Sequence, residues 1–141
     1  MRRYRLTVLG GMAVALTGAP AMAADEGGDI TLTGQVGVSA EHSGKLGAGD
    51  RLVIKLYHPR DGVEYDTKYQ IIDEFSLPYA FRAVPSVDMN ARARWSNYII
   101  EIFTDRDGDV LTLVPGEMVA RTEEPVTLGT RGLALELKPI E

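Results

Sequence analysis

The chain has no cysteine among its 141 residues, one tryptophan, two histidines and three phenylalanines. Without thiols there can be no disulfide, so the fold must hold by packing alone even in an oxidising compartment. There is equally no thiolate nucleophile, no cysteine-ligated metal site and no N-terminal cysteine to carry a lipid anchor. Motifs of group-transfer chemistry are missing too. No nucleophile elbow, P-loop or dinucleotide glycine pattern occurs, and Gly44-Lys45-Leu46-Gly47 lacks the residue order that cradles phosphate. The apolar run from Leu6 to Leu16 is too short to span a bilayer.

What that run does fit is an export signal. Arg2, Arg3 and Arg5 precede it, and Ala21-Met22-Ala23 follows as a small-x-small cleavage pattern. The Arg2-Arg3 pair suggests twin-arginine export, but Arg5 stands where that signal wants an apolar residue, so general secretion is expected. The reading is a signal peptide over residues 1–23, a flexible N-terminus over 24–29 and one domain over 30–141. Location is then periplasmic or secreted. Residues 1–23 hold three arginines and no acid, which takes the formal charge from −5 for the chain to −8 for the remainder. A domain so acidic repels phosphate backbones and anionic lipid surfaces, which argues against nucleic acid or a membrane as partner.

Period-two alternation dominates from Ile30 onward. Ile30, Leu32, Val36 and Val38 alternate with Thr31, Thr33, Gln35 and Ser39. Glycines around Lys45 mark a loop, after which Leu52, Ile54 and Leu56 face one way and Val53, Lys55 and Tyr57 the other. Pro59-Arg60-Asp61-Gly62 has turn chemistry. Val63, Tyr65, Tyr69 and Ile71 alternate with Glu64, Asp66, Lys68 and Gln70, and Phe75, Leu77, Tyr79, Phe81 and Ala83 continue the pattern. Pro78 cannot donate to a ladder, which predicts an edge strand or a bulge there. A loop is expected over 84–93. A hairpin follows, with Tyr98, Ile100 and Ile102 on one strand, a turn at Asp105-Arg106-Asp107-Gly108-Asp109, and Val110 to Val114 returning. Leu133, Leu135 and Leu137 form the last strand before Pro139. About seven short, mostly antiparallel strands predict an all-β domain, a small β-sandwich or partly open barrel.

The order of these features resembles that of the small periplasmic β-sandwich proteins related to the type III secretion lipoprotein chaperone (pilotin, YscW) and its YbaY-like relatives. The likeness lies in Thr33-Gly34-Gln35-Val36, in Gly49-Asp50-Arg51-Leu52-Val53-Ile54 and in Leu77-Pro78-Tyr79-Ala80-Phe81. It continues through Tyr98-Ile99-Ile100-Glu101-Ile102 with Asp107-Gly108-Asp109-Val110-Leu111, and through Pro125-Val126. The resemblance implies a sandwich that is not an enzyme and serves as a chaperone-like envelope protein. Lipid-anchored secretin escort does not carry over, because the anchoring cysteine is absent.

Asp105, Asp107 and Asp109 are the metal candidates, since alternating carboxylates suit calcium. Counted from Asp105, however, the sixth and twelfth positions are Val110 and Gly116, with Glu117 one residue late for an EF-hand. A turn explains them, so no metal and no cofactor is expected. His42 and His58 sit beside no nucleophile and match no zinc spacing. Asp73-Glu74 and Glu123-Glu124 are neighbours whose side chains point apart on a strand. Trp95, among Arg92, Arg94 and Asn97, is the kind of aromatic that anchors interfaces. The expected function is non-enzymatic binding of a protein partner in the cell envelope, through Trp95 or through the edge at Pro78 and Tyr79. The alternative is a small-ligand or calcium-binding protein.

Overall fold

The computed structural model describes residues 30–90 and 92–140. The signal-peptide and N-terminal-tail expectations lie outside these residues. Eight strands are present among them: β1 (Leu32–Val38), β2 (Arg51–Arg60), β3 (Val63–Ile72), β4 (Tyr79–Ala83), β5 (Asn97–Asp105), β6 (Met118–Arg121), β7 (Val126–Thr127) and β8 (Leu133–Pro139). One short 3-10 turn, Ser43–Lys45, interrupts the loop before β2. The fold is all-β, as the alternation predicts.

The strands form one curled mixed sheet in the order β3-β2-β5-β6-β8-β1-β4, with β7 added to the start of β5. All neighbours are antiparallel except β1 and β8. The curl brings the β3-β2-β5 half over the β8-β1-β4 half, and Leu32, Val36, Ile54, Ile100, Met118 and Leu137 meet between them. Each such side chain, withdrawn from water, contributes about 1.5–3 kcal/mol. The two central strands are buried on both faces: Val53, Tyr57, Ile99 and Phe103 point away from this core and are also buried.

The β2–β3 turn is tighter than the four-residue stretch expected from sequence. Only Asp61 and Gly62 lie outside the ladder, both with positive φ, and Arg60 pairs with Val63. That is the two-residue hairpin whose twist matches its strands. Further along β3 the register slips. Tyr65 stands opposite His58 and Lys68 opposite Leu56, so Asp66 and Thr67 together oppose Tyr57. Asp66 takes φ 59°, a left-handed conformation that aspartate tolerates better than most residues. The bulge divides the row of Val63, Tyr65, Tyr69 and Ile71 between two faces. Val63 and Tyr65 stay on the core side, while Tyr69 and Ile71, opposite Lys55 and Val53, turn outward.

The expected hairpin return over Val110–Val114 is not a strand. The chain returns as β6, with Val119 opposite Phe103 and Ala120 opposite Ile102. Over Val110–Val114 the unbroken alternation is only Leu111 with Leu113, and Pro115 beyond them denies a donor. Met118 and Ala120 supply the buried pair instead, and Met118 N donates to Thr104 Oγ1 at 2.9 Å to set the register. Leu111, part of the expected return, is 79 % exposed.

Candidate functional site: an open seam between two sheet edges

β3 and β4 end the strand order, so each has one side without a ladder partner. Pro78 immediately precedes β4 and is exposed, in keeping with an edge position, and Tyr79 opens the strand half-buried against the core. The curl sets these edges on either side of a cleft of about 330 Å³. Ile54 and Leu56 of β2 form its floor, each 2 % exposed, and Ala83 of β4 closes the far side. Lys68 and Gln70 pair with Leu56 and Ile54, which fixes their side chains on the core-facing side of β3. Both are nevertheless exposed. Polar side chains on the inner face remain wet only where the curl fails to close, and that locates the opening.

Two more clefts continue the seam along β3. At one end Asp66 shares a cleft with Ser86, Asp88, Arg92 and Arg94; at the other, Asp73 and Glu74 share one with Leu46, Phe75 and Leu77. Arg82 stands at the margin of the central cleft, its guanidinium 3.5 Å from Thr31 Oγ1. Neither Lys68 nor Arg82 forms an ion pair among the described residues; the cations that do are Arg51, Lys55, Arg60, Arg106 and His42 with Glu41.

Trp95 closes one end of the core. Its indole stacks on His58, contacts the Tyr65 ring at 5.8 Å and lies under the Arg60 guanidinium. His58 Nδ1 is 2.9 Å from the Asn97 carbonyl, and the Tyr98 hydroxyl donates to Asp66 Oδ2 at 2.7 Å. Burial, reinforced by the Asp66 carboxylate, pushes the Tyr98 phenol far above its ordinary range. The Trp95 indole N–H is buried with no acceptor among the described residues.

The acidic loop brings together Asp105, Asp107 and Glu117, whose carboxylates lie within 4.8 Å of one another. Asp109 is not among them; its Oδ1 accepts from Leu111 N, and Asp107 Oδ1 accepts from Asp109 N. Glu117, one residue late for an EF-hand, takes its place, but both its oxygens already accept backbone bonds, from Val114 N and Arg106 N. Asp105 holds Arg51. Burial raises the Asp105 carboxyl, yet the Arg51 hydrogen bond, the Asp107 contact and the Arg51 charge together hold it below the usual carboxylate range. Asp50 is balanced the same way: burial raises it, and Arg106 with Gly47 N–H more than offsets this. These bonds tie the 106–117 loop to the loop before β2.

His42 faces Glu41 at 4.0 Å, and His58 is engaged at the opposite end of β2 with Trp95, so the two share no site. Asp73-Glu74 and Glu123-Glu124 are exposed, but both pairs lie in bends between strands rather than on strands. Lys68, Gln70 and Arg82 were not singled out by sequence reasoning. The available signal was Asp66 within an otherwise regular strand, a residue poorly suited to a pleated interior and well suited to a bulge that turns Lys68 inward.

No protein-family model matches the chain, and no curated protein matches it. Among solved structures it is similar to an alternative pilotin from the type II secretion system of Vibrio cholerae, with a TM-score of 0.49 and 13 % identity over 79 % of this chain and 96 % of that one.

Proposed function

We propose that the protein is a non-enzymatic binding module that receives an extended segment of a protein partner in the seam between β3 and β4. The observation that carries this is the pair of free sheet edges facing each other over a cleft with a buried apolar floor. Free edges offer unpaired N–H and C=O groups, and strand addition satisfies them. β3 and β4 run in opposite directions around the curl. An added strand is therefore antiparallel to one edge and parallel to the other. The signal-like residues 1–23 support a site of action outside the cytoplasm, and the short motifs resembling pilotin and YbaY-like proteins favour a chaperone-like partner role over catalysis.

The absence of cysteine gives a direct test. A single Gln70→Cys variant, labelled with a bulky maleimide, blocks the central cleft; Glu136→Cys on the exposed face of β8 is the control. In cells, a photo-crosslinking residue at position 82, across the same cleft, is expected to give a discrete adduct that one at position 136 does not, and maleimide on Gln70→Cys in the same chain should abolish it in extracts. Equal adducts from both positions, or an adduct unaffected by the label, would remove the seam as the binding surface.

A further inference from the structure

We infer that the seam selects partner segments by charge, taking an extended segment that carries an acidic side chain at the level of Lys68. This rests on the seam reading above and adds the chemistry of its occupant. Lys68 is fixed on the core-facing side of β3 by its pairing with Leu56, and it projects into the mouth of the central cleft. Lys68 is exposed at this mouth and has no ion-pair partner among the described residues, so its charge is unmatched there. Arg82 lies at the margin of the same cleft and likewise has none. The chain's net charge is −5, so two cations without ion-pair partners form a local reversal of sign where the backbone edges are free.

An incoming carboxylate gains most here. It meets Lys68 at the mouth of the cleft with Arg82 alongside, while its backbone can pair with the free edges of β3 and β4. A basic segment would set like charge against Lys68 and Arg82, which is how the site rejects it. The ends of the seam differ: at one, Arg92 and Arg94 are balanced by Asp66 and Asp88, while at the other Asp73 with Glu74 favours a basic residue. A free amphiphile is the poorer occupant: Ile54, Leu56 and Ala83 are already 2–3 % exposed, so an acyl tail finds almost no apolar surface to cover. A peptide finds two unpaired backbones.

The test is selection of a random ten-residue displayed-peptide library on the immobilised domain 30–141 within the full chain, repeated on Lys68→Glu/Arg82→Glu. Expected are peptides with one or two central acids, binding at least tenfold more weakly to the double variant and more weakly as salt rises from 50 to 300 mM. A Lys68→Arg variant, which keeps the charge, should retain them. Enriched peptides that lack acids, or acidic ones indifferent to the double variant, overturn the charge inference and leave the seam standing if maleimide at Gln70→Cys still blocks them. Peptides indifferent to that label, or no enrichment at all, overturn the seam reading itself. Circular dichroism of each variant separates lost binding from lost fold.

Discussion

The imidazole of His58 and the indole of Trp95 lie flat against each other, with ring centroids 4.1 Å apart and planes 3° from parallel. Trp95 is the one residue that sequence reasoning offered as an interface anchor, yet much of its surface is spent inside the molecule, against His58, Tyr65 and the end of the core. Replacing it should therefore cost stability first. Trp95→Ala is expected to lower unfolding free energy by about 2–4 kcal/mol in urea, since a half-buried aromatic forfeits most of its packing. Loss of less than about 0.5 kcal/mol would mean the stack is incidental and the ring is free for a partner.

Gly34 has a different constraint. A Cβ built there would stand 2.2 Å from the Leu133 carbonyl oxygen, across the parallel β1–β8 pairing. Backbone cannot swing aside as a side chain can. Gly34→Ala should force β1 and β8 apart and destabilise the domain by about 1–3 kcal/mol or more, read as a lower melting temperature. Gly44→Ala, where nothing lies within 4 Å, is the control and should leave melting unchanged.

Acid should unfold the protein through Asp50 and Asp105. Both carboxyls are held below the ordinary 3.8 in the folded chain, so the unfolded state binds protons more readily. Their contribution is complete above the unfolded value and disappears as pH falls through the folded one. Melting temperature should thus be flat from pH 7 to about pH 5 and fall steeply below about pH 4. Arg106→Gln removes the cation that offsets the burial of Asp50, so the fall should begin at higher pH. Superimposable pH profiles for the two proteins would assign acid lability elsewhere.

Chelation should do little. Glu117 is 1 % exposed and gives both oxygens to backbone donors, and Asp105 is engaged by Arg51, so the acidic loop is already satisfied from within. Melting with EDTA or with 5 mM calcium is expected to agree within about 1 °C, the scale of a negligible free-energy change. Glu117→Gln, by contrast, turns one acceptor into a donor facing an N–H and should cost about 1–3 kcal/mol. A calcium-dependent rise abolished by that substitution would make this loop a cation site.

Strand positions were legible where alternation was unbroken. Leu32 and Val36, Leu52 to Leu56, Tyr98 to Ile102 and Leu137 are buried as their spacing requires. Two features escaped. The β3 bulge conserves the odd-numbered apolar spacing on either side of Asp66, so nothing in the period betrays that Tyr65 and Tyr69 face opposite ways. The return strand β6 escaped because it is only four residues long and lies beyond a loop whose Val110–Val114 mimics a strand. The proline at 78 was readable as an edge marker, but an edge has a partner across the opening only after the sheet curls.

Sequence alone determined that this chain builds a thiol-free sheet, because period two and turn residues are local properties that each strand carries by itself. Tertiary structure decided that β3 and β4 end the sheet facing one another and that Lys68 turns into the gap. Those facts depend on how seven ladders are ordered and on one slipped register, and no single stretch of residues encodes either.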